Sequence, residues 1–305
     1  MRLAPMTMPT LRALSLILFA FAMSDTVRAD ILSESFDASS GGDLEIDTDI
    51  GAIRIQTHDA ARVDVEVERG GSEGERLEVD FTSSGNKVTI EGRWEDGKRN
   101  WWGGNKAKVV FNVTVPRNFN VDLRTRGGSI GVDDMNGKVR ATTSGGALRF
   151  GRIEGEIDAN TSGGSIRVDG GGADIDVRTS GGSITIGEAT GDVEARTSGG
   201  SIRVKNASGR VNARTSGGSV EATMLVQPAG DSSLTTSGGS VRLYVADGVG
   251  LEIDASSSSG VRSEIPVGGQ TRGDRRLRGP IHGGGPRIRL ETNGGGVKIY
   301  RADSN

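Results

Sequence analysis

Two unrepeated stretches of this 305-residue sequence gather side chains that could bind a partner. The first, "RWEDGKRNWWGGNK" (93–106), holds all three tryptophans, Trp94, Trp101 and Trp102, beside Arg93, Lys98 and Arg99. Indole rings flanked by cations can stack on sugars or settle at a membrane interface; the same rings could instead pack over one end of a fold. The second, "TRGDRRLRGPIHGGGPR" (271–287), collects Arg272, Arg275, Arg276, Arg278 and Arg287 with His282. A cation cluster of this kind suits an anionic partner such as lipopolysaccharide or an acidic polysaccharide, and a solvated insertion is the plainer alternative. The "RGD" inside it is too short a string to carry meaning.

Catalytic and metal chemistry find little footing. His58 and His282 are the only histidines and lie far apart, so no H-x-x-x-H zinc pair exists and a His-based triad has few candidates. Asp122, Asp158 and Asp176 are similar to the outward carboxylates of β-helical polysaccharide-cleaving enzymes, yet Arg140 and Glu194 share their repeat position, as on a solvated face. "GGGADID" (170–176) is similar to one calcium β-roll unit, but Lys138 and Arg210 occupy the position of Asp174 in other repeats. No catalytic residue, metal or cofactor is expected.

The elements that position these stretches come from a repeat. "TSGGSIRV" (161–168) has near-copies, and the opening threonines Thr125, Thr143, Thr161, Thr179, Thr197 and Thr215 each follow the last by 18 residues, with a 21-residue step to Thr236. Five residues after the Thr stand Ile130, Leu148, Ile166, Ile184, Ile202, Val220 and Val241; seven after it come Val132, Phe150, Val168, Ile186, Val204, Ala222 and Leu243. Polar residues separate the two columns, which is the period of a strand with one buried face. A second strand appears before the Thr, as in Ile157 and Ala159 or Ile175 and Val177. A further inward column from Met135 to Ala207 suggests a third, shorter side.

One 18-residue unit cannot bury its own apolar face, so units must stack. The fold class expected is all-β: an elongated, mostly parallel β-solenoid, a single-chain β-helix with about 18 residues per rung and an N-terminal β cap. About nine rungs at ~4.8 Å would span on the order of 40 Å. The TSGG stretch reads as the corner of each rung, its glycines supplying positive φ and its hydroxyls bonding neighbouring backbone, in preference to a ligand-binding hydroxyl ladder.

Composition agrees with this: 49 glycines and only 4% aromatics suit short strands and turns better than a conventional core. Residues 1–29 look like a cleaved signal peptide, with Arg2 and Arg12, the apolar run "ALSLILFAFAM" (13–23) and "VRA" ending at Ala29. Removing them leaves 34 basic and 39 acidic residues, a net charge of −5 that gives no reason to expect nucleic acid. No cysteine exists, which excludes a lipid-anchored Cys, disulfides and thiolate metal sites, and no further apolar run suggests a transmembrane segment. The division expected is a cap with a first rung (30–120), regular repeats (121–264), a Gly/Arg-rich loop insertion (265–287), and a terminal rung with tail (288–305).

The order "LEIDTDIGAIRI…RVDVEV", then "VTVPRNFNVDLRTRGGSIGV", the TSGG array and finally "GGPRIRLETNGGGVKIY" resembles a bacterial domain-of-unknown-function family labelled adhesin. The resemblance covers about residues 31–301 and implies a surface-exposed interaction role with no catalytic residues. The function expected is an exported, non-enzymatic, adhesin-like envelope or surface-interaction protein, periplasmic or secreted. Its partner would be a cell-surface glycan, an envelope polymer or a protein, reached through the Trp and Arg loops. The alternatives are a self-assembling envelope scaffold, an envelope-stress accessory protein and, less favoured, a polysaccharide-cleaving β-helix enzyme.

Overall fold

The computed structural model describes residues 30–95, 107–269 and 273–302. Apolar and polar residues alternate along each short strand, so every strand buries one face, and these faces line one continuous apolar interior. Among the described residues two thirteen-stranded sheets, here A and B, enclose it. In the repeats each 18-residue unit gives one strand to each sheet. Ile157–Thr161 lies in sheet B and Ile166–Gly171 in sheet A, both parallel and in register with strands 18 residues on. The molecule is thus the mostly parallel β-solenoid that the repeat predicts. Among the described residues the further column forms no separate sheet: Ile153, Gly171, Ala189 and Ala207 end sheet A strands, past a position where the pairing skips a residue, and Met135 joins Ile153 by an isolated parallel bridge.

The corners explain the TSGG motif. Thr161 is buried; its Oγ1 donates to Gly146 O of the preceding rung at 2.9 Å and accepts from Gly164 N at 3.3 Å. Thr143, Thr179, Thr197 and Thr215 repeat the donation at 2.8 Å. One hydroxyl therefore closes its own turn and ties it to its neighbour. The glycines act differently from expectation, since none in these corners has positive φ. The second of each pair is required by close approach: a Cβ on Gly164 would stand 1.9 Å from Gly146 O, and one on Gly182 the same distance from Gly164 O. The serine after the pair continues the ladder, with Ser165 Oγ accepting from Ser183 N at 3.2 Å.

Chain order and stacking order differ at both ends. Lys87–Trp94 and Ala107–Pro116 run parallel to Gly42–Thr48 and Ala52–His58 on the side away from the array, so they form the outermost rung. Only Leu77–Ser84, Arg62–Gly71 and Asp30–Asp37 are antiparallel additions there, and these cap the stack. At the other end Arg287–Thr292 and Val297–Arg301 come last in the chain but not in the stack. They lie between the rung of Ser232–Thr236 and Val241–Val245 and the rung of Leu251–Ser257 and Val261–Ser263. The stretch expected to be a loop insertion contains a strand, Arg276–Ile281, which pairs antiparallel with Leu251–Ser257 and covers that edge of sheet B. Pro280 and the charged Arg276 and Arg278 on this edge strand discourage further pairing. Among the described residues no helix is long and apolar enough to cross a membrane.

Candidate functional site

Stacking in register turns each outward position into a file of side chains along the rod. On sheet A one file carries the cations Arg54, Arg149, Arg167, Arg203, Arg242, Lys298 and Arg262, interrupted only by Gly131, Thr185 and Glu221. Ten positions at ~4.8 Å extend about 43 Å.

What distinguishes this file is how little of its charge is neutralised. Arg167 Nε bonds Asp169 Oδ1 at 2.8 Å, and Arg203 Nε bonds Glu221 Oε1 at 2.8 Å, with Arg242 Nη1 3.9 Å from the same carboxylate. Arg54, Arg149, Arg262 and Lys298 are exposed and have no hydrogen bond or ion pair among the described residues. The cause is local sequence. Successive outward residues on a strand are two apart, and there Arg54, Arg149, Arg242 and Lys298 meet Gln56, Gly151, Tyr244 and Tyr300 instead of an acid.

Sheet B shows the opposite pattern. Its strands carry an acid and an arginine two apart, so Arg124 pairs with Asp122 at 2.7 Å, Arg178 with Asp176 at 2.5 Å, Arg196 with Glu194 at 2.7 Å and Arg289 with Glu291 at 2.7 Å. Arg140, with no acid two residues away, pairs with Asp158 of the next rung at 3.3 Å, and Arg214, whose strand neighbour is Asn212, has no side-chain partner among the described residues. The carboxylates at the sheet B corner are structural links. Asp174 Oδ1 accepts from Asp192 N at 2.9 Å and Asp192 Oδ1 from Arg210 N at 2.8 Å. The side-chain bond from Arg210 holds Asp192 below the usual carboxylate range, whereas burial pushes Asp122 up, with Oδ1 buried and unpartnered.

Two features give the sheet A file shape. Gly131 leaves open space where a Cβ would stand, and around it lies a surface groove of about 930 Å³ edged by Arg54, Arg149 and Arg167 with Asp133 and Asp169. Further along, the rings of Tyr244 and Tyr300 stack at 5.0 Å between centroids, on the same strands as Arg242 and Lys298.

Among the described residues, the candidate binding residues singled out from sequence lie at opposite ends of sheet B. Trp94 pairs with Leu77 at the N-terminal end of sheet B and is half-buried against the core, its backbone N–H bonded to Asp49 Oδ2 at 3.2 Å. Trp101, Trp102 and Arg272 lie outside the described residues. Arg275, Arg276 and Arg278 sit at the far end of the same sheet, where Arg278 Nε bonds Asp254 Oδ1 at 2.8 Å and Arg275 and Arg276 are exposed. His58 Nε2 lies 2.8 Å from Arg62 O and His282 Nδ1 3.0 Å from Val249 O.

The family model described as Toastrack DUF4097 matches residues 42–300. Solved structures similar to the chain include a "putative adhesin" from Bacteroides fragilis, 14% identical over 90% of this chain and 97% of its own, with a TM-score of 0.32. A "putative lipid binding protein" from Parabacteroides distasonis is 13% identical over 90% and 97%, TM-score 0.32. A "putative cell adhesion protein" from Clostridium sporogenes is 12% identical over 91% and 100%, TM-score 0.28. No curated protein matches. The assignment to a family rests on the family model, not on these superpositions.

Proposed function

This chain belongs to the Toastrack DUF4097 family, and on that premise we propose that it is an exported, non-enzymatic, adhesin-like rod that binds the cell envelope or a cell surface through sheet A. The observation that carries this reading is the file from Arg54 to Arg262, a long row of cations, four of which have no partner among the described residues. A preordered sheet loses little conformational entropy on binding, so a broad, shallow contact can still be favourable. Residues 1–29 serve as the export leader and the mature chain starts near Asp30. Of the described residues in the Trp and Arg loops, Trp94 packs inward and Arg278 is paired, so this reading takes sheet A as the primary contact.

The test expresses the full chain with its leader in a bacterial host, fractionates the cells and sequences the exported protein's N-terminus. Labelled protein from that fraction is then applied to intact bacterial cells. Export with cleavage near Ala29, and cell binding that drops several-fold on Arg149→Gln/Arg203→Gln/Lys298→Gln, are the expected results. Retention in the cytoplasm, or binding indifferent to that variant, would overturn the proposal.

A further inference from the structure

We infer that the sheet A file is a track for a linear acidic polysaccharide lying parallel to the rod axis. This rests on the reading of sheet A as the binding face and names the chemistry of its partner.

The positive charge on this face is concentrated in one line. The cations form a single line, one position per rung and ~4.8 Å apart, over nine intervals. The outward positions two residues further along the strands carry Asp133, Asp169 and Glu264 with Tyr244 and Tyr300, and one cation, Lys205. A flat anionic membrane laid on this face would meet those carboxylates together with the arginines. A thread following the file meets mainly the cations. The exposed large apolar side chains that would anchor a membrane contact, Ile31, Leu225 and Val226, are not part of the file.

Spacing narrows the thread. Arg54 and Arg149, Arg167 and Arg203, and Arg203 and Arg242 are each two rungs apart, separated by Gly131, Thr185 and Glu221. The seven cations stand at the first, third, fourth, sixth and eighth to tenth positions of the file, so no two-rung period meets them all; an extended glycan advances by close to one strand spacing per sugar, and a polyuronate with an acid on every sugar brings a carboxylate to each of them. Where the separating residue is Gly131, the surface drops into the groove and a ring can sit between Arg54 and Arg149. At the other end the stacked Tyr244 and Tyr300 offer aromatic surface beside Arg242 and Lys298, and an aromatic ring packs against the apolar face of a sugar. Cations with open space and aromatic surface in one line are what an acidic glycan uses.

The experiment measures binding of the exported, purified chain by calorimetry at low and moderate salt. The probes are an oligouronate long enough to cover the file, a neutral dextran of equal length, vesicles of equal phosphatidylglycerol and phosphatidylcholine, and single-stranded DNA. The expected result is oligouronate binding that weakens with salt, as exposed charges require, and at least tenfold tighter than to the other three. Arg149→Gln/Arg203→Gln/Lys298→Gln is expected to weaken it at least tenfold. Arg178→Gln/Arg196→Gln/Arg289→Gln makes the same change in net charge on sheet B and is expected to leave it within about twofold, because those arginines are already engaged. Gly131→Leu keeps every charge and fills the groove; it is expected to weaken binding several-fold with unchanged circular dichroism.

Equal or tighter binding to vesicles or DNA overturns the polysaccharide assignment while leaving the sheet A reading standing. So does cell binding that needs sheet A with no affinity for oligouronate. If the sheet B variant loses as much affinity as the sheet A variant, both the track and the binding face are refuted.

Discussion

The corner glycines allow a sharp test, because two adjacent residues of one type have opposite expected effects. A Cβ on Gly182 would stand 1.9 Å from Gly164 O, 2.4 Å from Gly164 C and 2.6 Å from Ser165 N, all backbone atoms of the previous rung. A Cβ on Gly181 would meet nothing nearer than Gly163 O at 3.5 Å, an ordinary contact. Neither glycine has positive φ, so space alone separates them. In Gly182→Ala the rungs must part, which costs about 1–3 kcal/mol in overpacking. Parting also strains the donations from Thr179 Oγ1 to Gly164 O and from Thr197 Oγ1 to Gly182 O, worth about 1 kcal/mol each. Against this, alanine restricts the unfolded chain and returns about 0.4–1 kcal/mol. The net expectation for Gly182→Ala is a loss of about 2–4 kcal/mol, and for Gly181→Ala a gain of up to about 1 kcal/mol. At ~2–4 °C per kcal/mol, melting should fall by roughly 5–10 °C in the first and rise by a degree or two in the second. Thermal melts of both variants beside wild type, with hydrogen exchange across residues 161–215, provide the assay. Equal melting temperatures for the two would refute the claim that rung approach, and not turn conformation, selects the second glycine.

Other expectations follow from the ends and the carboxylates. Ending the chain at Pro286 removes an internal rung whose Ile288, Leu290, Val297 and Ile299 are fully buried, each worth about 1.5–3 kcal/mol. The truncated protein should lose exchange protection over residues 232–263 first, and a peptide of residues 287–302 added in trans should restore it; unchanged protection without the peptide would contradict the observed strand order. Asp192 has a lowered value in the fold, so its contribution is present at neutral pH and disappears as pH falls through that value. Asp192→Asn should therefore destabilise at pH 7 and converge with wild type in acid. Asp122 has a raised value, so stability falls as pH rises from the ordinary carboxylate range through the folded value. Asp122→Asn should melt at or above wild type at pH 7, with the difference shrinking in acid, and melts across a pH series check both signs.

Much of the solenoid was readable from columns, because Ile166 and Val168 recur as apolar residues at a fixed distance from Thr161 in every repeat. What escaped was contact between rungs. That Gly164 is needed for its missing Cβ, and that Thr161 is buried, depend on how closely one rung lies over the last. The strand order at the ends also escaped, since repeats similar to the array at 44–55 and 288–299 reveal a rung but not its place in the stack. The candidate site was half visible. Arg149, Arg167, Arg203 and Arg242 share one repeat position, and reading the sign of charge down that column would have found them. Arg54 and Lys298 hold the same position six residues after Thr48 and Thr292, whereas Arg262 joins only through the strand order at the end. The aromatic and cationic loops stand out in the sequence because they break the repeat; among their described residues Trp94 is packed and Arg278 is paired.

The contrast between the sheets has an energetic consequence of its own. A repeat multiplies whatever faces outward, so like charges on neighbouring rungs repel along the whole file, by about 1 kcal/mol per adjacent pair in water at rung spacing. Sheet B largely avoids this by placing an acid two residues from most of its arginines, whereas Arg149 beside Arg167, and Lys298 between Arg242 and Arg262, keep it. Side chains that repel one another in the folded state without partners are more readily explained by binding than by stability. Arg149→Gln should therefore leave the melting temperature equal to or above that of wild type while weakening attachment to an acidic polymer. Arg178→Gln, which breaks the pair with Asp176, should lower the melting temperature and leave attachment unchanged. Adding the polymer should raise the melting temperature of wild type more than that of Arg149→Gln, since it relieves the repulsion that the substitution has already removed. Scanning fluorimetry of the two variants with and without oligouronate decides the matter: if Arg149→Gln is the less stable of the two without polymer, the cations of sheet A are serving the fold, and the reason for assigning them to a partner falls away.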